Sequence, residues 1–178
     1  MTHKAEAATV AALAGKARAL FESKEVLCAE AVLVALNEGL GGGLEPERAR
    51  GLAVGYGNGM GGSGCACGAL TGAVLSVSWF LSKDFPPGEV RKAAAEVHQR
   101  FKAAHGSACC RVLTKPVKSD PGKHFTHCAG LTEQGAAIAA SVILARLPGL
   151  GRSLNHAALA RRRSRLSSLL LRLADRLR

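Results

Sequence analysis

The segment Gly55-Tyr56-Gly57-Asn58-Gly59-Met60-Gly61-Gly62-Ser63-Gly64 breaks any long helix or strand, because every glycine adds backbone freedom that a regular element must remove. The chain is therefore expected to loop here. It does so directly before Cys65-Ala66-Cys67 and an apolar run that reaches Leu81. A glycine-built loop thus delivers two thiols to the start of an element apolar enough to be buried.

What that element is follows from the residues around it. Aromatic residues make up only 4% of the chain, Ala and Leu are abundant, and Val and Ile are sparse. Small and straight side chains favour helices packed closely over strands. Periodic apolar positions predict helices over about 6–23, 24–37, 46–56, 67–81, 89–104 and 129–147. Val10, Leu13, Ala17, Leu20 and Phe21 form the first stripe; Gly39 and the run Gly41-Gly42-Gly43 stop the second helix, and Pro46 opens the third. Pro86-Pro87 and Gly106 bound the fifth. Ser107 is placed to cap a short turn containing Cys109 and Cys110, and a polar loop with Pro116, Pro121 and Gly122 is expected to carry His124 and His127 up to Cys128. The expectation is an all-α chain: a compact bundle of about six helices with a glycine-rich loop.

With 48% hydrophobic residues and a mean hydropathy of +0.12, the chain has material for one core. Residues 1–147 are expected to form that domain, 148–151 (Pro148-Gly149-Leu150-Gly151) a linker, and 152–178 a basic amphipathic helix with Leu159, Leu166, Leu170, Leu173 and Leu177 on one stripe. Residues 151–178 hold +7 of the formal charge of +11. The basic balance therefore describes the tail, and specific nucleic-acid binding has no motif behind it. The tail is instead a candidate for homodimer contact. The apolar runs near 69–81 and 136–147 are too short to span a bilayer, and Lys16 and Arg18 interrupt the N-terminal apolar stretch, so neither a transmembrane segment nor a secretory signal is expected. The reading is a cytoplasmic protein, in which six cysteines serve as thiols, metal ligands or redox groups rather than structural bridges.

Cys28, Cys67, Cys110 and Cys128 each fall at or near an expected helix start, where unpaired N–H groups favour the thiolate that binds metals and attacks electrophiles. Four such thiols suit an iron–sulfur cluster; the same set could hold zinc or exchange disulfides. Gly61, Gly62, Gly64 and Gly68 would let backbone approach a bulky centre and offer N–H donors to sulfur, so Gly62, Gly64 and Gly68 are candidate cofactor contacts. A phosphate cradle fits poorly, since no Gly-Lys-Ser/Thr follows.

These residues carry a resemblance. Cys28 in Cys28-Ala29-Glu30-Ala31-Val32, the centre Cys67-Gly68-Ala69-Leu70-Thr71-Gly72-Ala73, Cys110-Arg111 after Gly106-Ser107, and Cys128 before the last core helix resemble a family named for its C-GCAxxG-C-C cysteine pattern, over about residues 20–147. The resemblance implies an α-helical protein with a redox role. A similar cysteine domain in split-Soret cytochromes implies an iron–sulfur cluster, expected as [2Fe–2S] on Cys28, Cys67, Cys110 and Cys128. Cys65 and Cys109 are additional to the pattern and could substitute for Cys67 and Cys110. No Cys-x-x-Cys-His occurs for haem attachment.

Two further readings stay open. In the first, no metal is bound and Cys67 is the attacking thiolate of a thiol/disulfide enzyme or sulfur carrier. Cys65-Ala66-Cys67 lacks the two-residue spacer of dithiol motifs, and a vicinal Cys109–Cys110 bridge would be strained, so a redox carrier or sensor with an unidentified partner protein is preferred to a turnover enzyme. In the second, the chain is a helical partner-binding protein. His124 and His127 flank Cys128 closely enough to be ligands, although exposed loop histidines are commoner.

Overall fold

The computed structural model describes residues 3–152 together with 154, 155, 157 and 159. Those residues form α1 (His3–Glu22), α2 (Cys28–Leu40), α3 (Pro46–Ala53), α4 (Gly57–Met60), α5 (Gly68–Leu81), α6 (Pro87–His105), α7 (Cys110–Thr114) and α8 (Pro121–Arg146), with 3₁₀ turns at 54–56, 115–117 and 148–152. No strand occurs among them. Six of the helices have eight or more residues, so the all-α expectation holds. The basic C-terminal helix expected over 152–178, with Leu166, Leu170, Leu173 and Leu177, lies outside the described residues, apart from a few positions at its start.

α2 is the axis of the bundle. Ala29 through Asn37 are all buried, as are Gly39 and Leu40, because α2 has neighbours on every side: α1, α3, α5 and α8 pack around it. A fully buried Leu such as Leu33 or Leu36 contributes roughly 1.5–3 kcal/mol relative to exposure. α2 starts later than expected. Lys24 takes a left-handed φ of 63°, which holds residues 23–27 in a turn, and the Glu30 side chain accepts the Leu27 N–H at 3.0 Å, closing the first turn from inside. At the other end Gly41, with φ 67°, terminates the helix. Asn37 then ties down the exit: its Oδ1 accepts the Leu44 N–H at 3.0 Å and its Nδ2 donates to the Leu44 carbonyl at 2.8 Å.

α8 differs most from expectation. Its helix begins at Pro121, not near residue 129. Asp120 caps it, accepting the N–H groups of Gly122 and Lys123 at 3.0 Å each, and proline is suited to the first helical position because its missing N–H would have no partner there. Reading Pro121-Gly122 as loop residues overlooked this start signal. The result is a helix of 26 residues, long and apolar enough by length and composition to cross a membrane, which the shorter apolar run inside it is not. In the structure 56% of its apolar window is buried, against α1, α2, α5 and α6. Arg18 of α1 pairs with Glu133 at 2.9 Å and Arg146 with Glu96 of α6 at 2.8 Å, fixing α8 near its middle and at its C-terminal end.

α2, α5 and α8 approach through small residues. A Cβ added at Gly72 of α5 would lie 2.6 Å from the Ala29 carbonyl oxygen of α2, and one at Gly135 of α8 would lie 2.6 Å from the Ala69 carbonyl oxygen of α5. Both obstacles are backbone, so a helix would have to move. Gly72→Ala should therefore lower stability by about 1–3 kcal/mol, read as a fall in Tm of roughly 2–4 °C per kcal/mol for a chain of this size. An unchanged Tm would mean that the helices do not meet this closely.

Candidate functional site

The helix contacts at Ala29 and Ala69 set the positions of two neighbouring cysteines. Cys28 is the first residue of α2, and Cys67 is the N-cap of α5. Cys110 opens α7. Cys128 sits two turns inside α8, not at its start, because α8 begins at Pro121. All four nevertheless face one cavity of about 770 Å³, which Gly62, Gly64 and Asn58 also line. The thiols are close enough to act on one another: charge on Cys28 disfavours charge on Cys67 and Cys128, and Cys110 does the same to Cys28, Cys67 and Cys128.

The glycine-rich segment is not an open loop. Asn58, Gly59, Met60, Gly61, Gly62 and Gly64 all take positive φ, between 53° and 91°, winding the backbone into a left-handed path through the short turn α4. Glycine is demanded by space as well as by φ at Gly59, where a Cβ would sit 2.7 Å from Cβ of Cys110 and 2.9 Å from the Cys65 nitrogen. The segment is fastened to residues 108–111: the Arg111 N–H donates to the Gly64 carbonyl at 2.9 Å, the Cys67 N–H to the Ala108 carbonyl at 2.8 Å, and Nη2 of Arg111 to the Ser63 carbonyl at 2.8 Å. Cys67 and Cys110 are thus held by one backbone clasp.

Gly68 has a different role from Gly62 and Gly64. A Cβ there would run into Sγ of Cys28 and lie 2.9 Å from the Tyr56 carbonyl oxygen, so its missing side chain makes room for a thiol. Nor do these glycines supply the N–H groups that reach sulfur. The backbone N–H groups of Asn58 and Ala29 near Cys28, and of Ala69 and Leu70 near Cys67, are the ones that favour a thiolate there. The Asn58 donor is invisible in the sequence, because it depends on a left-handed asparagine brought back over α2.

The expected lowering of thiol pKa at helix starts is overruled by burial at the four cavity cysteines. Cys67 is 4% exposed, and burial pushes its thiol up to about 12, with Cys28 adding to the shift. Burial likewise carries Cys128 to about 12, and raises Cys28 and Cys110. Near neutral pH these groups are thiols, so Cys67 does not have the character of an attacking thiolate.

Cys65 and Cys109 lie apart from the cavity lining. Cys65 is exposed and Cys109 half-buried, and each side chain acts electrostatically on the other. The Val112 N–H at the start of α7 is the main cause that lowers the Cys109 pKa, while the Cys109 contact raises that of Cys65. The helix-start effect therefore does operate, at a cysteine outside the group of four.

His124 lines the cavity, carried there by the first turns of α8. His127 turns elsewhere: its Nε2 and that of His105 are buried without a hydrogen-bond partner among the described residues, and the His105 pKa is lowered by burial and by His127. Residues that the sequence did not single out also line the cavity, among them Lys24, Arg111, Lys118 and Phe125. Lys24 Nζ lies 5.1 Å from the Phe125 ring centroid, and Phe125 stacks on Phe21 at 5.1 Å. Among the described residues, no three His, Cys, Asp or Glu side chains converge closely enough to hold a single metal ion.

The family model described as "Putative redox-active protein (C_GCAxxG_C_C)" matches residues 26–142, an interval that contains all six cysteines. Comparison with curated proteins and with solved structures gives no match.

The opposite shifts order the thiols by reactivity. In metal-free protein near pH 7.5, iodoacetamide should alkylate Cys109 first, because its depressed pKa supplies thiolate, and Cys67 and Cys128 last. Raising the pH should accelerate Cys65 before Cys67. Peptide mapping that finds Cys67 modified as fast as Cys109 would restore it as a nucleophile.

Proposed function

The chain belongs to the C_GCAxxG_C_C family, and on that premise we propose that Cys28, Cys67, Cys110 and Cys128 together hold an iron–sulfur cluster, of [2Fe–2S] type, through which the protein carries or senses electrons. The observation that supports this reading is the convergence of four thiols, from four separate elements, on one cavity. Family membership gives the redox character; the cavity suggests the group that would carry it.

The donor set fits such a group chemically. Iron–sulfur clusters are held by four thiolates, and their potentials respond to N–H donors at sulfur. Here Ala69 and Leu70 at Cys67, with Asn58 and Ala29 at Cys28, would provide them. Burial makes these thiolates costly in the protein alone, a cost that binding a cationic group offsets as the ligands release their protons. The spread of the sulfurs around a cavity, without convergence on a point, suits a group with its own volume better than a single zinc ion. When bound, the cluster supplies one-electron storage. The chain's own part is to fix the sulfurs, to screen them with the apolar side chains of Val26, Leu27 and Leu131, and to place the cations Lys24, Arg111 and Lys118 around the same cavity, where they favour an added electron.

Protein purified without oxygen, or reconstituted with iron and sulfide, should be coloured and contain iron and acid-labile sulfide. Cys28→Ser, Cys67→Ser, Cys110→Ser or Cys128→Ser should each weaken iron retention at least as much as the roughly 10–100-fold that losing a supporting partner typically costs. Cys65→Ser and Cys109→Ser should retain the iron. Colourless protein without iron or sulfide after reconstitution would sink the reading.

A further inference from the structure

The clasp that joins the glycine segment to α7 also brings together the two cysteines that the cluster does not use. Its two backbone bonds, Arg111 N–H to Gly64 and Cys67 N–H to Ala108, bracket a pair of two-residue stretches, 65–66 and 109–110. Cys65 and Cys109 lie inside that bracket, close enough for each side chain to act electrostatically on the other. Sγ of Cys109 also donates to the Gly64 carbonyl at 3.2 Å, and the Cys109 N–H is held by Oγ of Ser107 at 3.0 Å. Both backbones are therefore fixed, one sulfur is anchored, and the other cysteine lies on the exposed side. Cys67 and Cys110, their neighbours in sequence, face the cavity instead. The same two segments thus carry two cysteines that line the cavity and two that lie outside its lining.

We propose that Cys65 and Cys109 form a second redox site, a solvent-facing dithiol that exchanges with small-molecule disulfides and closes into a Cys65–Cys109 disulfide across the clasp. The step balances without the buried centre. The Cys109 thiolate attacks one sulfur of a small disulfide such as oxidised glutathione and expels one thiolate, leaving a mixed disulfide on Cys109. Cys65, after losing its proton to solvent, attacks the Cys109 sulfur and expels the second thiolate. The two protein thiols are oxidised, the small disulfide is reduced to two thiols, and the two protons end on those products. The bridge would link two stretches already joined at both ends by backbone bonds, so the clasp holding Cys67 and Cys110 becomes covalent under oxidising conditions. A vicinal Cys109–Cys110 bridge, by contrast, would be strained and would remove a cavity thiol.

The test treats the full-length protein, purified anaerobically, with graded ratios of oxidised to reduced glutathione, followed by acid quenching, alkylation and peptide mapping. The expected product has lost two thiols, mapped as a Cys65–Cys109 link, with Cys28, Cys67, Cys110 and Cys128 still alkylated as free thiols without a disulfide reductant. Cys65→Ser should stop at a stable glutathione adduct on Cys109, and Cys109→Ser should abolish the link. A Cys109–Cys110 link, any link to another cavity cysteine, or separate glutathione adducts on Cys65 and Cys109 of the unsubstituted protein would overturn the proposal. The map is read from sulfur connectivity, so it decides this site whether or not iron is bound beneath it.

Discussion

The close approach of α2, α5 and α8 through Gly72 and Gly135 is the contact on which the site depends. Each glycine sits where a Cβ would meet a neighbouring carbonyl, of Ala29 in one case and Ala69 in the other. Ala29 follows Cys28, and Ala69 lies two residues beyond Cys67. Helices kept apart by ordinary side chains would move these N-termini outward and separate the sulfurs. Gly68 extends the same logic, since its absent side chain is the space into which the Cys28 thiol fits. The spacing Cys67-Gly68-Ala69-Leu70-Thr71-Gly72 is thus a packing instruction: a thiol, room for another thiol, and one turn later room for the helix that carries it.

This explains why some of the structure could be read from the sequence. Apolar periodicity and helix stop signals are local, and they located the long helices to within a few residues. α5 departs least from expectation, by one residue at its start, and α1 and α6 by no more than three at either end. α2 and α8 depart at their starts, each for a local reason whose weight was misjudged. Lys24 adopts a backbone conformation that favours glycine, which no periodicity reveals. Asp120-Pro121 is a helix opening that reads equally well as a turn. Extending α8 back to Pro121 moved Cys128 into a helix interior, yet it left that cysteine in the cavity, because positions 121, 124, 125 and 128 share a face.

The grouping of the four cavity cysteines was legible in the sequence, and its energetics were not. The four cavity cysteines stand out by their place beside helix starts and glycines, but the pKa argument built on helix starts had the sign wrong for them. A helix N-terminus stabilises a thiolate by a fraction of a unit charge, whereas removing that thiolate from water costs more unless a cation replaces the water. At Cys109, which solvent still reaches, the helix contribution prevails; at Cys67, four per cent exposed, burial does. Burial is set by the tertiary fold, so the two cases could not be told apart from the sequence of either segment.

The glycine-rich segment then has a reading that neither flexibility nor phosphate binding provides. A floppy loop would show no pattern in its φ angles, and a phosphate cradle would leave its N–H groups aimed at a shared point. Here six residues wind left-handed, and the Gly64 N–H is spent on the Gly59 carbonyl at 2.8 Å, while the Gly64 carbonyl is spent on Arg111. The segment is a hydrogen-bonded coil whose internal bonds shape one wall of the cavity and whose outer bonds hold α7. Glycine is used because L side chains rarely adopt such a path, and the two exceptions, Asn58 and Met60, are informative. Asn tolerates the left-handed region better than most residues, and the N–H of Asn58 is the foremost of those that favour a thiolate at Cys28. The strain of placing a side-chain-bearing residue there coincides with a donor to a cavity sulfur, so the coil contributes both the shape of the site and part of its electrostatic field.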